Sequence, residues 1–311
     1  MMTTTTTEGR TVASKVLRRA PPGFAANQWR TFDEEGILVI EDVFADAEVM
    51  AWRAAVERVQ NAHDSPSAKF FTLRNFVEHD PAFASLIDNA AYVGFVYDVY
   101  GEMLKLQLSE LFVRPRGEEA REERWHIDGP RLVPYSVFTA DAPMQVKVGI
   151  WLTDVDRPDI GNLVFVPGSH RQQYLPNYST HEAADGERQL LVRRGSITLM
   201  NTALWHRTAP NESDTARINL YLGFCPSWLP TSDRNTSDPV WLASLNREQR
   251  IIMRSYADAH SHAKPPAEDV PLFLDRDTGA DSEPLYRNHV HLLHRKRTTA
   301  WERFHAASRT S

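Results

Sequence analysis

A β-sandwich or jelly roll with helices packed outside it is the fold this chain predicts, and three observations carry the prediction. From about residue 105 the apolar residues fall into period two, in LQLSELFVRPR, MQVKVGIWLTDV, LVFVPGSH, GSITLMNTALWH and RINLYLGFCP. Alternation of this kind marks strands with one face turned to a core. Each run is cut off by Gly, Pro or Asn clusters, and short strands so spaced build sandwiches and jelly rolls. The preceding hundred residues instead carry helical periodicity, so the helices must cover the outside of the sheets.

Taken in order, residues 1–20 read as a disordered tail. MMTTTTTEGR lacks the apolar segment of a secretory signal, while TVASKVLRRA (11–20) is basic and mildly amphipathic, which leaves an organelle transit peptide open beside the tail reading. Residues 21–311 read as a single domain, mostly helical over about 21–104, jelly roll over about 105–228, and a C-terminal extension over about 229–311. FDEEGILVIEDVF (32–44) is a helix end, a Gly turn and a short strand. The helix that follows (46–63) sets Val49, Trp52, Val56 and Val59 on one side. PAFASLIDNAAYVGFVYDVYG (81–101) is a second helical stretch, ended by Gly101. Beyond 230 the chain reads as loops rich in Pro, Asp and His, then a helix ending WERFHAASRTS.

Thirty-five Lys and Arg against 41 Asp and Glu give a formal charge of −6, which offers no general attraction to nucleic acid or an anionic membrane. No run of about 18 apolar residues is present to span a bilayer. The partner expected is a small molecule, and the protein a monomer or homodimer. A single cysteine, Cys225, excludes an intramolecular disulfide framework and fits a reducing, cytoplasmic setting.

The chemistry begins at RWHIDGP (124–130). In an extended strand residues i and i+2 share a face, so His126 and Asp128 present an imidazole and a carboxylate to one point. A metal that must activate O₂ needs enough ligands to hold it and open positions for its reactants. Two imidazoles and one carboxylate on one octahedral face leave three positions open. A second histidine is therefore needed on a later strand. LWHRTAPNESDTARINL (204–220) supplies His206, and Arg217 opens the next strand eleven residues on. With a turn over 207–216, His206 and Arg217 face one cavity.

Together, H-x-D (126–128), GNLVFVPGSH (161–170), GSITLM (195–200) leading into H-x-T-x-x-N (206–211), and an Arg at His+11 resemble the phytanoyl-CoA hydroxylase-like family of Fe(II)/2-oxoglutarate dioxygenases. EEGILVIEDVF and its following helix resemble that family's opening, and the likeness spans roughly 32–228. It implies a double-stranded β-helix, cupin-like, with Fe(II) held by His126, Asp128 and His206, and with 2-oxoglutarate and O₂ as cosubstrates. Arg217 would pair with the C5 carboxylate of 2-oxoglutarate, whose two oxygens match a guanidinium fork. Thr208 matches a position where the family sets a hydroxyl against the same carboxylate. A basic residue upstream of the sheet, Arg74 in preference to Lys69, would also reach the cosubstrate. Ile127 stands where a Gln is common, and Asn162 is a second departure; neither is a ligand position.

Plainer readings stand beside these. His126 and Asp128 could be a surface pair in a turn, His206 a half-buried histidine on a carbonyl, Arg217 a surface ion pair and Thr208 an ordinary strand hydroxyl. His170 ends a strand in a turn motif, where it caps or packs. His289, His291 and His294 crowd together in NHVHLLHRKR, but no helix or strand puts all three on one face, so the segment reads as exposed and amphipathic. His260 and His262 read as members of a polar loop. Trp125, Trp151 and Trp205 are core residues by default.

The function expected is therefore oxidation of an aliphatic C–H of a small organic molecule, with 2-oxoglutarate and O₂ converted to succinate and CO₂, in a setting such as natural-product biosynthesis. The alternatives are a non-catalytic jelly roll that binds or senses a ligand, and a cupin-like metal enzyme without an oxoacid cosubstrate, which leaves Arg217 unexplained. Specificity would lie in the lid-like segments 131–145 and 171–189, with Tyr135, Phe138, Trp151 and Tyr174 as wall residues.

Overall fold

The computed structural model describes residues 18–63, 65, 70–117, 124–128, 143–172, 175–176 and 178–276. The strands are β1 (Arg19–Ala20), β2 (Ile37–Ile40), β3 (Phe71–Arg74), β4 (Leu104–Arg114), β5 (Val146–Trp151), β6 (Leu163–Phe165), β7 (Arg188–Gln189), β8 (Ile197–Asn201), β9 (His206–Thr208), β10 (Arg217–Pro226) and β11 (Leu274–Arg276). Six of them form a sheet in the order β2-β8-β5-β10-β4-β3, three form a second sheet in the order β7-β6-β9, and β1 pairs with β11 apart from both. All pairings in the two larger sheets are antiparallel. The fold is the double-stranded β-helix.

Strand parity sorts the six-stranded sheet into two faces. Leu111 and Val113 of β4, Val146, Val148 and Ile150 of β5, Ile197 and Leu199 of β8, and Ile218, Leu220 and Leu222 of β10 are buried in one cluster with the helices. The alternate positions, including Glu110, Phe112, Arg114, Lys147, Met200, Arg217 and Tyr221, turn the other way and line a cavity. Burying residues of one parity under helices thus commits the other parity to the interior between the sheets.

The helices are α1 (Ala26–Glu35), α2 (Asp46–Ala62), α3 (Val93–Tyr100), α4 (Pro239–Ser244), α5 (Arg247–Met253) and α6 (Ala259–Ala263). Helix α2 buries Val49, Trp52, Val56 and Val59, the side its periodicity predicts, and Glu48 accepts a hydrogen bond from the Ala45 amide at its start. Helix α1 stops at Gly36, whose φ of 80° is left-handed and whose amide returns to the Phe32 carbonyl. A Cβ there would lie 2.5 Å from His170 Nδ1, so Gly36 meets both a backbone and a packing demand. His170 is buried with Nε2 on the Asp33 carbonyl, packing against this turn.

The stretch 81–101 departs from the single helix expected. Asp80 caps a short 3₁₀ helix (Pro81–Leu86), and helix α3 begins only at Val93. Between them the Asn89 side chain accepts from the Ala91 amide, an Asx turn that competes with helical pairing. The polar loop expected around His260 and His262 holds helix α6, capped by Asp258, and His262 sits on the Tyr256 carbonyl and near the Lys105 ammonium. The histidine cluster 289–294 and the C-terminal helix lie outside the described residues. No described helix is long and apolar enough to cross a membrane.

Candidate metal centre

His126 and His206 form an antiparallel backbone bridge between the two ends of the motif. The His126 amide donates to the His206 carbonyl at 3.0 Å, and the His206 amide donates back at 2.9 Å. The Asp128 amide is held by the Thr202 carbonyl. Main-chain hydrogen bonds thereby bring all three side chains to one place, with the imidazole centroids 4.3 Å apart.

Each imidazole is oriented by its other nitrogen. His126 Nδ1 lies 2.7 Å from the Arg124 carbonyl and His206 Nδ1 lies 2.8 Å from the Leu204 carbonyl. A carbonyl only accepts, so both Nδ1 atoms carry the proton and both Nε2 lone pairs point toward Asp128. Nε2 of His126 is 3.9 Å from Asp128 Oδ1, and Nε2 of His206 is 3.6 Å from Asp128 Oδ2. One ligand atom from each residue falls within 4.8 Å of the others. Bonds of about 2.1 Å place adjacent donors of an octahedron about 3 Å apart, so a small inward rotation suffices to hold an ion. The donor set, two imidazoles and one carboxylate, suits Fe(II).

Electrostatics keep His206 and Asp128 in their ligating forms. Burial and the neighbouring His126 push His206 down to about 4, against the opposing pull of Asp128, so it is neutral at pH 7. Burial resists ionisation of Asp128, but Lys147, His206 and His126 outweigh it and hold the carboxyl far below its usual range. Lys147, opposed by burial, is raised by Asp128 and Glu110 and stays charged.

The triad lies in the wall of a cavity of about 780 Å³. Thr208 follows His206 on the same face of β9, buried and lining the cavity. Arg217 lines it from β10; its Nη1 donates to the Gly161 carbonyl and its guanidinium lies 5.6 Å from the Trp151 ring. Arg74 reaches the cavity rim from β3 but is 69% exposed and paired with Glu110 at 3.4 Å.

Trp151 is not a wall residue. It is fully buried, clustered with Ile37, Val155 and Leu163, and its Nε1 donates to Thr198 Oγ1, which places it behind Arg217 as support. Tyr135, Phe138, Tyr174 and Lys69 lie outside the described residues. In the segment 171–189 the described lining residues are Tyr178 and Ser179; Tyr178 packs edge-on to Trp205, and the Ser179 amide donates to the Trp125 carbonyl.

Residues not singled out from the sequence complete the site. Lys147 Nζ donates to Asp128 Oδ2 at 2.6 Å and pairs with Glu110 at 3.6 Å. Arg114 stands directly across from Arg217 in the β4–β10 register, under Phe70 and Phe112. A lysine inside the apolar alternation of MQVKVGIW, in phase with Gly149 and Trp151, was the available clue to Lys147.

The family model described as phytanoyl-CoA dioxygenase (PhyH) matches residues 32–219. The chain belongs to this family. An ectoine dioxygenase of Nocardia farcinica is 25% identical over 237 residues, covering 64% of this dioxygenase and 77% of the relative. The crystal structure of HygX from Streptomyces hygroscopicus, with nickel and 2-oxoglutarate bound, superposes with a TM-score of 0.58 at 22% identity, covering 70% of this chain and 94% of HygX. The carbocyclase SnoK from nogalamycin biosynthesis, dependent on α-ketoglutarate, follows at 0.52 and 20%, covering 67% and 87%. The present chain is a 2-oxoglutarate-dependent non-haem iron oxygenase, using Fe(II), 2-oxoglutarate and O₂ on a small-molecule substrate.

Proposed function

We propose that this dioxygenase hydroxylates or otherwise oxidises an aliphatic C–H of a polar, ring-bearing small molecule in natural-product biosynthesis. The observation that carries the reading is the convergence of His126, Asp128, His206, Thr208 and Arg217 on one cavity that remains large enough for a further molecule beside 2-oxoglutarate. His126, Asp128 and His206 would hold Fe(II). When bound, iron with 2-oxoglutarate and O₂ supplies the oxidising power for C–H cleavage.

The chain's own groups position and shield. Arg217 and Thr208 take the C5 carboxylate of 2-oxoglutarate, with Trp151 and the Gly161 carbonyl fixing the guanidinium. Arg74, exposed and engaged with Glu110, serves the substrate side of the cavity rather than the cosubstrate. The relatives support the substrate class: ectoine dioxygenases by sequence and, by structure, HygX, crystallised with hygromycin B bound. The buried lone Cys225 favours a cytoplasmic setting, and the net charge argues against nucleic-acid partners.

The test is incubation of the Fe(II)-loaded protein with 2-oxoglutarate, O₂ and a metabolite extract, following succinate and a product mass shift of one oxygen or of two hydrogens lost. Persistent absence of succinate across substrates would favour the binding or sensing alternative.

A further inference from the structure

Lys147 is a buried cation in contact with a candidate iron ligand, on a strand otherwise apolar and glycine-bearing. Its side chain is 8% exposed. Nζ donates to Asp128 Oδ2 at 2.6 Å, lies 3.6 Å from Glu110 Oε2, and stands 5.3 Å from the centroid of the Tyr221 ring. The ammonium is therefore enclosed by two carboxylates and an aromatic face. Gly149 leaves room for that ring: a Cβ there would lie 2.9 Å from Tyr221 Cε1 and 2.4 Å from Thr198 Oγ1. The arrangement is built from β4, β5 and β10, the central strands of the sheet.

A carboxylate can hold a metal through one oxygen or both. Both Asp128 oxygens are near the histidine donors, one 3.9 Å and the other 3.6 Å from an Nε2 atom, so the triad alone does not choose between these modes. Lys147 does, because an oxygen that accepts a short, charge-assisted hydrogen bond has its charge committed elsewhere. Two-oxygen ligation would fill a fourth position, and with 2-oxoglutarate taking two more none would remain for O₂.

Resting on the reading of His126, Asp128 and His206 as the iron ligands, we propose that Lys147 is a positioning residue that reserves Asp128 Oδ2, keeps the carboxylate a one-oxygen ligand, and so preserves the coordination position O₂ needs. Glu110 and Tyr221 hold the ammonium in place for this task. The class of ligand affected is a small diatomic gas, and the effect is confined to the state in which 2-oxoglutarate is bound. Without 2-oxoglutarate, open positions are in surplus and a second Asp128 oxygen blocks nothing.

The experiment is anaerobic titration of the Fe(II) protein with nitric oxide, as an O₂ surrogate, followed by the spin-3/2 electron paramagnetic resonance signal, in native protein and Lys147→Met, with and without 2-oxoglutarate. The visible charge-transfer band of the Fe(II)–2-oxoglutarate complex reports separately that the site has assembled. Expected for Lys147→Met is a retained band, nitric oxide affinity within about twofold of native when 2-oxoglutarate is absent, and affinity at least tenfold weaker when it is present. Because Lys147→Met leaves Glu110 without its buried partner, the double variant Lys147→Met/Glu110→Gln removes both charges and carries the same expectation if the single variant does not fold. Equal weakening with and without 2-oxoglutarate would mark a merely structural role and overturn the inference, as would native affinity in the ternary state. Failure of the native protein to form the Fe(II)–2-oxoglutarate band would instead remove the triad reading, and this inference with it.

Discussion

Replacing Arg217 by leucine tests the proposed cosubstrate anchor. Arg217 is 4% exposed, so its charge is little screened, and its guanidinium is already fixed by the Trp151 ring and the Gly161 carbonyl. Little ordering entropy is therefore left to lose when a carboxylate arrives. A hydrogen bond to a charged group contributes about 1.5–3 kcal/mol, which at about 1.4 kcal/mol per decade is roughly a 10- to 150-fold rise in the dissociation constant for 2-oxoglutarate. The low exposure points to the upper half of that range. Leucine keeps an apolar contact on Trp151 but withdraws a donor from Gly161, so about 1–3 kcal/mol of stability is lost as well, and the titration belongs well below the melting temperature. The assay is anaerobic titration of Fe(II)-loaded Arg217→Leu with 2-oxoglutarate, read by the charge-transfer band, beside an iron titration expected to change by less than about threefold. An unchanged 2-oxoglutarate curve would refute the assignment and return Arg74, or the cross-strand neighbour Arg114, to the role.

His206→Ala is expected to lose stoichiometric Fe(II) binding, measured by metal analysis after desalting, while its circular dichroism stays native; retained one-to-one iron with normal turnover would end the triad assignment. Asp128→Gly is expected to be inactive as an oxygenase, and the native enzyme to ignore chloride, because the carboxylate fills the position a halide would need; a chlorinated product in the mass spectrum would sink this. Metal-free protein is expected to lose stability as pH falls from about 6.5 to about 4. His206 is depressed in the folded state, so over that window the unfolded chain binds the extra proton and stability rises with pH; melting curves of native protein against His206→Gln would test it, a variant as steep as the native protein counting against the cause. Gly36→Ala combines a left-handed φ with a 2.5 Å approach to His170, and is expected to cost at least about 1 kcal/mol, a fall of about 1.5 °C or more in melting temperature.

The parts of the site legible in the sequence are those that depend on local geometry. The buried side of α2 follows from its helical period and the spacing of His126 and Asp128 from a period of two, whereas His206 and Arg217 reach the cavity from β9 and β10, strands of different sheets joined by residues 209–216. Lys147 and Glu110 were not legible because they meet across β10, with Gly223 and Tyr221 between them, and the register that sets this meeting is nowhere in the local pattern. Trp151 takes its default reading as a core residue, not the wall role set beside it, for a related reason. Its parity points it inward, but Arg217 lies over it and takes the cavity surface. The break in 81–101 came from one Asn side chain outcompeting helical pairing in a stretch whose apolar content reads as continuous helix.

The bridge between His126 and His206 also orders events in time. The two residues stand 80 positions apart in the chain, yet each supplies the other's backbone hydrogen bonds. Closing so long a loop is slow and its entropic cost falls on the folding of the sheets, not on the metal. Under the proposed triad, iron is expected to enter a mouth that main-chain hydrogen bonds already shape, and removal of the metal by a chelator is expected to leave the circular dichroism native and the site rechargeable.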